Sequence, residues 1–376
     1  MNEITFSVVV PTHNRSDLLA TLFDSLVIAK DEFSGQVETI IVDSSSGAEA
    51  QAIQSLCEKY SARYLRCANR VTQKRNLGVQ EAAGEYIFFT DSDCELSKDV
   101  FVQHILTYET CGKNTGGVLG LTLVCGDTAP IWRSLHLDSS FTTSFSFARW
   151  MEIAPWGTCT NLSFRTEVLK KVGGFDEDWP LVVYGEDVDL GLRFNQAGYE
   201  IHCNHQAVVR HNSATIHGTM QVLRKKFLTG RADYYLGKKH PDRLALEFPS
   251  WTALGLILLP IFIGKSLIEL SLDPLLMFAA AISLGILFQA FLTAKASKTG
   301  QQDFFRYALV IIFEAVFEFG KICESLRNGQ LLRMWTKFVY VDRQLLGERD
   351  KRIRQMWSFF LTLLFLVAFS GIHIFG

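Results

Sequence analysis

Paired zinc ligands are missing from this chain of 376 residues, because its eight cysteines form no C-x-x-C pair and no zinc-type spacing. This pattern favours small, buried thiols in a reducing compartment.

An excess of charge of one sign is missing too. The formal net charge at pH 7 is -2, which lacks the positive excess of a polyanion-binding protein. Nucleic acid is therefore not expected as a partner.

The N-terminus also lacks the features of a signal peptide. The apolar run from Phe6 to Val10 is too short for one, and no basic segment precedes it. We therefore expect the first part of the chain to stay in the cytoplasm.

Hydrophobic residues are abundant but unevenly distributed. They make up 48% of the chain, with 29 phenylalanines, and long apolar runs begin only after Pro249. The length alone favours two units. The composition predicts a soluble domain over 1–220, a basic amphipathic segment over 221–250 and a hydrophobic membrane domain over 251–376.

The first ninety residues alternate between apolar, β-branched runs and segments with helical spacing. This pattern predicts strands at 5–10, 37–43, 62–67 and 85–91, and helices at 16–29, 48–60 and 72–83. Such alternation is typical of right-handed βαβ units, so we expect an α/β fold with a mostly parallel, Rossmann-like sheet.

Polar or acidic residues follow three of these strands, at 12–15, at Asp43 and at 91–93. Ligands of open α/β sheets bind beyond the carboxyl ends of the strands, where these residues would lie. Asp91 and Asp93 flank a small serine, and carboxylate pairs of this kind bind Mg²⁺ or Mn²⁺ together with substrate phosphates. The sequence thus predicts a nucleotide and metal site at this edge.

Five sequence blocks, in order, make the chain resemble glycosyltransferase family 2, which has the GT-A fold. They are VVVPTHNR (8–15), IIVDSSS (40–46), KRNLGVQEAAGEYIFFTDSD (74–93), GTCTNLSFRTEVLKKVGGFDE (157–177) and GEDVDLGLRF (185–194). The resemblance covers about residues 5–215. It implies a nucleotide-diphospho-sugar transferase fold with C-terminal transmembrane helices added to it.

The resemblance also implies roles for individual residues. Candidates for binding the nucleotide sugar are Pro11, Thr12, His13, Arg15, Asp43, Arg75 and Asp91. Among them Asp43 is expected on the base, and Arg75 near the diphosphate, where a guanidinium suits phosphate oxygens. His13 stands where the family often has tyrosine, and an imidazole can also stack on a base.

A divalent cation, Mn²⁺ or Mg²⁺, is the implied cofactor. Asp93 would hold it, with His211 as a second ligand by resemblance to other GT-A enzymes. Three further histidines, His202, His205 and His217, compete with His211 for this role in the sequence.

The acidic pair Glu186-Asp187 is the candidate catalytic centre. Inverting transfer needs a carboxylate that accepts the proton of the attacking hydroxyl, and the resemblance assigns that role to Asp187. Asp189, two residues on in the same helix, is expected to point away from Asp187.

The acceptor is expected to bind near the glycine-rich turn at 173–177. There Gly174, Phe175 and Asp176 are the candidates by resemblance. Trp156 lies close to this region in sequence and could stack on a sugar ring.

Three segments are apolar and about 20 residues long, as a membrane-spanning helix requires: 251–270, 274–293 and 356–375. A fourth segment, 304–322, carries Tyr307, Ile311, Glu314, Glu318 and Lys321 on one face. Nine Lys or Arg residues lie between 321 and 354. The positive-inside rule keeps them cytoplasmic, so we expect 304–322 to be interfacial rather than membrane-spanning.

The sequence therefore predicts a multi-pass protein of the inner membrane with its catalytic domain in the cytoplasm. It would move a sugar from a nucleotide sugar, expected to be a UDP-sugar by family tendency, to a lipid-linked glycan in exopolysaccharide synthesis. Alternatives are a processive polysaccharide synthase, disfavoured because 221–225 (QVLRK) lacks the tryptophan of a Q-x-x-R-W motif, and a non-catalytic membrane scaffold. A nucleotidyltransferase is disfavoured because no glycine-rich loop follows the first strand.

Overall fold

The computed structural model describes residues 4–126, 144–180, 184–212, 218–246, 251–296, 304–341 and 348–372. These residues form two compact units. The first takes the described residues up to 212 apart from Tyr184, and the second takes that residue and everything from 218 onward. The change from the first unit to the second falls between 212 and 218, and the limits predicted from composition stay predictions.

The first unit begins with the predicted alternation of strands and helices. Its elements are β1 (Ile4–Thr12), α1 (Ser16–Glu32), β2 (Gln36–Asp43), α2 (Gly47–Lys59), β3 (Arg63–Arg66), α3 (Val71–Glu81) and β4 (Tyr86–Phe89). The four strands are parallel, in the order β3-β2-β1-β4. All seven predicted elements are present, with ends within three residues of those expected.

The rest of the first unit makes the sheet mixed. It adds β5 (Cys94–Leu96), α4 (Val100–Thr110), β6 (Thr115–Cys125), β7 (Ile153–Ala154), β8 (Leu162–Arg165), α5 (Thr166–Lys171), α6 (Glu186–Gln196) and β9 (Glu200–Asn212). Strand β8 lies antiparallel between β4 and β6, β9 runs parallel to β6, and β5 and β7 are antiparallel to β9. The predicted α/β fold is confirmed, with the parallel part of the sheet concentrated in β1 to β4.

Periodic apolar residues fix helix α1 on the sheet. Leu19, Leu22, Phe23 and Leu26 recur at helical spacing and are almost fully buried. They join the inward side chains of β1 and β4 in one core, where Phe6 contacts Phe101 of α4 at a ring distance of 5.2 Å. This core holds the strand ends in place.

The second unit is mostly helical. It contains α7 (Thr219–Lys239), α8 (Trp251–Glu269), α9 (Asp273–Ala296), α10 (Phe304–Arg327) and α11 (Glu348–Ile372), with a small antiparallel pair of β10 (Leu244–Leu246) and β11 (Thr336–Phe338). Trp251 of α8 donates to Gln289 of α9 at 2.5 Å, and Phe359 of α11 packs on the same tryptophan at a ring distance of 5.8 Å.

Helices α7 and α10 pack closely on each other. Gly230 of α7 lies against the backbone of Phe317, and Arg231 pairs with the buried Glu324 at 2.5 Å. The face of α10 that carries Glu318 and Lys321 is buried as well, and Lys321 donates to the Thr336 carbonyl at 2.7 Å. The charged face of α10 thus has protein partners, whereas Phe305, Ile312 and Phe319 of the same helix are exposed. The interfacial placement of 221–250 and 304–322 stays a prediction.

Among the described residues, two helices are long and apolar enough to cross a membrane. These are α8 and α9, with mean hydropathies of 1.8 and 2.3 over their best windows. Only 28% and 22% of those windows is buried inside the protein, so most of their apolar surface is exposed. Lys265 and Glu269 of α8 form the expected ion pair, at 3.7 Å. The third predicted span lies in α11, and its last residues, 373–375, lie outside the described residues.

Candidate functional site

The carboxyl ends of β1, β2 and β4 meet at one edge of the sheet. Thr12 pairs in register with Asp43, and Val9 pairs with Phe89, so Asp91 follows β4 beside the end of β1. Pro11 is half-buried in this edge, and the exposed His13 continues beyond it. The strand-end residues that the sequence singled out are therefore neighbours.

Asp93 lies in the turn between β4 and β5, and its two oxygens have different surroundings. Oδ2 accepts from Arg15 Nη1 at 2.9 Å. Oδ1 is buried without a hydrogen-bond partner and lies 3.4 Å from His211 Nε2. The pairing of β5 with β9 sets Cys94 opposite His211 and so fixes this approach.

The surroundings of Asp93 fit a divalent cation. A carboxylate oxygen of Asp93, the Cys94 thiol and a ring nitrogen of His211 lie within 4.8 Å of one another. An unpartnered buried carboxylate oxygen beside an imidazole nitrogen offers the oxygen and nitrogen ligands that Mn²⁺ accepts. His202 instead contacts Glu200 at 2.9 Å, and His217 lies outside the described residues. Among the described histidines, His211 is the one in contact with Asp93.

Arg75 of α3 links the loop after β4 to the start of α6. Its side chain is buried, its Nη1 donates to Glu186 Oε1 at 2.9 Å, and its Nη2 lies 3.6 Å from Asp91 Oδ1. The ring of Phe175 packs on the guanidinium at 5.3 Å, a cation–π distance. Arg75 thus occupies the space between two carboxylates that were both predicted to belong to the site.

Asp187 is placed by the sharp start of α6. Gly185 before it has a φ of 111°, a left-handed conformation that favours glycine, and the helix begins directly at Glu186. Burial, together with the charge of Glu186, raises the pKa of Asp187 to about 7. Asp189 is fully buried and pairs with Arg193 at 2.9 Å, which confirms that it points elsewhere. Asp187 therefore titrates close to neutral pH.

Burial also raises the pKa of Asp91, and the charge of Arg75 opposes that shift. The charge of Arg75 therefore favours the ionised form of both Asp91 and Asp187, against the effect of burial.

Asp43 is held entirely by protein groups. Its side chain has no exposed surface, and it accepts hydrogen bonds from Ser45 N at 2.8 Å, Ser45 Oγ at 2.6 Å, Tyr64 OH at 2.9 Å and Arg66 Nη1 at 3.0 Å. A contact between this carboxylate and a base stays a prediction. The polar surface beside it belongs to His13, Ser44 and Asn69.

The glycine-rich turn after α5 is fastened by Asn76. Its amide donates to the Phe175 carbonyl at 2.8 Å and accepts from the Phe175 amide at 2.9 Å. Gly174 has a φ of 62°, and a Cβ there would lie 2.7 Å from Asn76 Oδ1, so only glycine suits this position. The turn is therefore a rigid part of the site wall.

The two aromatic acceptor candidates are largely inside the protein. Phe175 is 2% exposed and supports Arg75, while Trp156 is 8% exposed and packs on Phe147 at a ring distance of 5.2 Å. Asp176 is half-buried and accepts from the Asp178 amide at 2.9 Å. In the structure the two rings support neighbouring side chains of the site from inside the protein. Direct contact of these residues with an acceptor stays a prediction.

Sequence reasoning missed Lys74. Its side chain is buried, and Nζ donates to the Thr12 carbonyl at 2.7 Å and to Asn69 Oδ1 at 3.2 Å. Burial lowers the pKa of Lys74 to about 8. The signal in the sequence was a lysine placed directly before Arg75, on the face of α3 that also carries Gly78.

Known proteins are similar to this chain in the same region. The model of the family "Glycosyl transferase family 2" matches residues 7–173. The O-antigen biosynthesis protein RfbC of Myxococcus xanthus is 26% identical over 251 residues, which cover 61% of this chain and 18% of that protein. The amylovoran biosynthesis glycosyltransferase AmsB of Erwinia amylovora is 33% identical over 116 residues, which cover 29% of this chain and 37% of that protein.

The matches thus span well under half the length of these two relatives. Among solved structures, the mannosyltransferase PcManGT of Pyrobaculum calidifontis, in complex with GDP-Man and Mn²⁺, is similar with a TM-score of 0.45 and 14% identity, covering 99% of this chain and 87% of that one. The family match coincides with the strand-end site described above. The chain therefore carries a glycosyl transferase family 2 domain over residues 7–173.

Proposed function

We propose that this protein is an inverting, metal-dependent glycosyltransferase that moves a sugar from a nucleoside-diphosphate sugar to a hydroxyl of a membrane-associated acceptor. One observation carries the proposal: Asp187, with a pKa of about 7, lies in the buried charge cluster around Arg75 at the start of α6. A carboxylate that titrates near the working pH is suited to accept a proton and release it again.

The proposed reaction is a single displacement. Asp187 accepts the proton of the acceptor hydroxyl as that oxygen forms a bond to the anomeric carbon of the sugar. The bond from this carbon to the diphosphate oxygen breaks on the opposite face, so the anomeric configuration inverts. The electron pair and the negative charge leave with the nucleoside diphosphate.

Asp93 and His211 are the residues that would hold the cation. The unpartnered Oδ1 of Asp93 and the His211 nitrogen 3.4 Å away support that assignment. When bound, a divalent cation stabilises negative charge on a leaving diphosphate. Arg15, at 2.9 Å from Asp93, brings a guanidinium to the same place, where it would contact phosphate oxygens.

A membrane location is the second half of the proposal. The exposed apolar surface of α8 and α9 supports it, as does the exposure of Trp357 and Phe360 on α11. The names of the two relatives, which concern O-antigen and amylovoran, support a lipid-linked glycan of a bacterial cell-surface polysaccharide as the acceptor. A UDP-sugar is the donor expected from the family resemblance.

The experiment is a donor screen on the full-length protein in detergent. Release of the nucleoside diphosphate is measured with UDP-, GDP-, dTDP- and CDP-sugars, with Mn²⁺ or EDTA, and with bacterial lipid-linked glycans as acceptors. We expect turnover of one donor class that EDTA abolishes and that Asp187→Asn reduces by at least about a hundredfold. His211→Ala should raise the Mn²⁺ requirement. Failure of every donor under these conditions would overturn the enzyme assignment.

A further inference from the structure

A chain of hydrogen bonds runs along the nucleotide edge of the sheet. It begins at the buried Lys74, whose Nζ donates to Asn69 Oδ1 at 3.2 Å. Ser44 Oγ donates to the same oxygen at 3.1 Å, and His13 Nδ1 lies 3.1 Å from Ser44 Oγ. We call His13, Ser44 and Asn69 the base rim. Its members are solvent-facing or half-buried, while Lys74 beneath them is not.

The lysine determines which way the Asn69 amide faces. An ammonium can only donate, so the amide atom that faces Lys74 must be the oxygen. The NH₂ group of Asn69 therefore points the other way. In the described part of the chain no acceptor takes its two hydrogens, and the side chain is exposed.

The direction of the remaining bonds follows from the same logic. The amide oxygen of Asn69 accepts, so Ser44 spends its single hydroxyl hydrogen there. The His13 Nδ1 must then be the donor to Ser44 Oγ. In neutral His13 this leaves Nε2 as an acceptor, with only a long contact of 3.4 Å to the Asn14 amide. The base rim thus offers a fixed donor at Asn69 and a fixed acceptor at His13.

We propose that Asn69 is the specificity-determining residue for the nucleobase, and the inference rests on the nucleotide-sugar function proposed above. The outward NH₂ group of Asn69 is a fixed donor, which matches a carbonyl oxygen on the edge of a base. Uracil, thymine and guanine carry such an oxygen where cytosine and adenine carry an amino group, which donates and cannot accept. The base rim therefore favours UDP, dTDP or GDP over CDP and ADP.

Lys74 determines that the NH₂ group of Asn69 faces outward, although Lys74 itself is buried away from the ligand. Its ammonium anchors Asn69 and, through the 2.7 Å bond to the Thr12 carbonyl, the end of β1. Lys74 is thus a positioning residue. Each mismatched hydrogen bond at a partly exposed site costs about tenfold in affinity. The mismatch at Asn69 therefore predicts a preference of roughly tenfold for UDP over CDP.

The test measures binding of UDP, GDP, CDP and ADP to the full-length protein by isothermal titration calorimetry. Asn69→Asp turns the donor into an acceptor, and we expect it to reduce the UDP-to-CDP affinity ratio at least tenfold. Asn69→Ala removes the donor without adding charge, and we expect weaker UDP binding with CDP binding unchanged. Ala68→Asp adds the same charge at the neighbouring exposed position and should leave the ratio as in the wild type.

The outcomes separate two failures. If the wild type prefers UDP or GDP but both Asn69 variants keep the wild-type ratio, the inference is wrong while the proposed function stands. If the wild type binds none of the four diphosphates, the nucleotide-sugar function is itself refuted and the inference with it. Thermal melts of each variant check that it is folded, and the alanine variant tests the idea where the aspartate variant does not fold.

Discussion

Replacing Glu186 with glutamine should move the pH dependence of catalysis to lower pH. The pKa of Asp187 is about 7 because the half-buried carboxylate is partly shielded from water and lies beside the charge of Glu186. Arg75 opposes this shift, and the amide oxygen introduced by Glu186→Gln can still accept from its guanidinium. Removing one negative charge therefore leaves Asp187 easier to ionise.

The size of the effect follows from the titration of one carboxylate. With a pKa of about 7, roughly a tenth of Asp187 is ionised at pH 6, half at pH 7 and about nine-tenths at pH 8. The value of kcat/KM should rise in the same proportion, because it reports the free enzyme. An aspartate with an ordinary pKa of about 3.9 would give a flat profile over this range. A neighbouring carboxylate shifts a pKa by about one unit or more, so in Glu186→Gln the half-maximal point should fall to about pH 6 or below.

The assay is kcat/KM from pH 5.5 to 8.5 at fixed ionic strength, with the donor found in the screen above. Glu109→Gln serves as the matched control, because it removes an exposed carboxylate from α4 and should leave the profile unchanged. A wild-type profile without an acidic limb would refute the raised pKa. A limb that stays at pH 7 in Glu186→Gln would show that another group, and not Asp187, controls it.

Further predictions concern stability, metal and packing. Asp187 has a folded pKa above its unfolded one, so its contribution to stability is lost as the pH rises from about 4 through about 7, and Asp187→Asn should raise the melting temperature more at pH 8 than at pH 5. Asp93→Asn should abolish Mn²⁺ binding measured by electron paramagnetic resonance, whereas retained binding would place the cation elsewhere. In the second unit, Gly230→Val would overlap the Phe317 carbonyl and should abolish folded protein in size-exclusion chromatography, while Gly255→Val, where a Cβ meets open space, should be tolerated.

Much of the first unit could be predicted because its signals are local. Strands β1 and β2 each contain an apolar, β-branched run, at 8–10 and 40–42, and α1 has a clear helical repeat, so these local patterns were enough to predict their positions. The strand-end rule then indicated Asp43, Asp91 and Asp93 as neighbours. Strand β8 escaped this logic, because its antiparallel insertion between β4 and β6 depends on pairing over long sequence separations.

The partners of the site residues could not be predicted in the same way. Arg75 was expected near phosphates, but its pairing with Glu186 joins residues 111 positions apart. Phe175 and Trp156 were candidates for contacting the acceptor, whereas packing buries both. Lys74 and Asn69 were not singled out at all, since a buried lysine looks like any other helix residue in sequence.

The amino-acid sequence by itself determined the class of this protein: its α/β start, the family of its first domain, the acids at the strand ends and the apolar character of its C-terminal part. These follow from periodicity and from short motifs, which act over a few residues. Only the tertiary structure decided the electrostatics, because the pKa of Asp187, the unpartnered oxygen of Asp93 and the direction of the Asn69 amide depend on burial and on neighbours brought in from distant segments. Charges and hydrogen bonds respond to what lies within a few ångströms in space, and sequence distance carries little of that information.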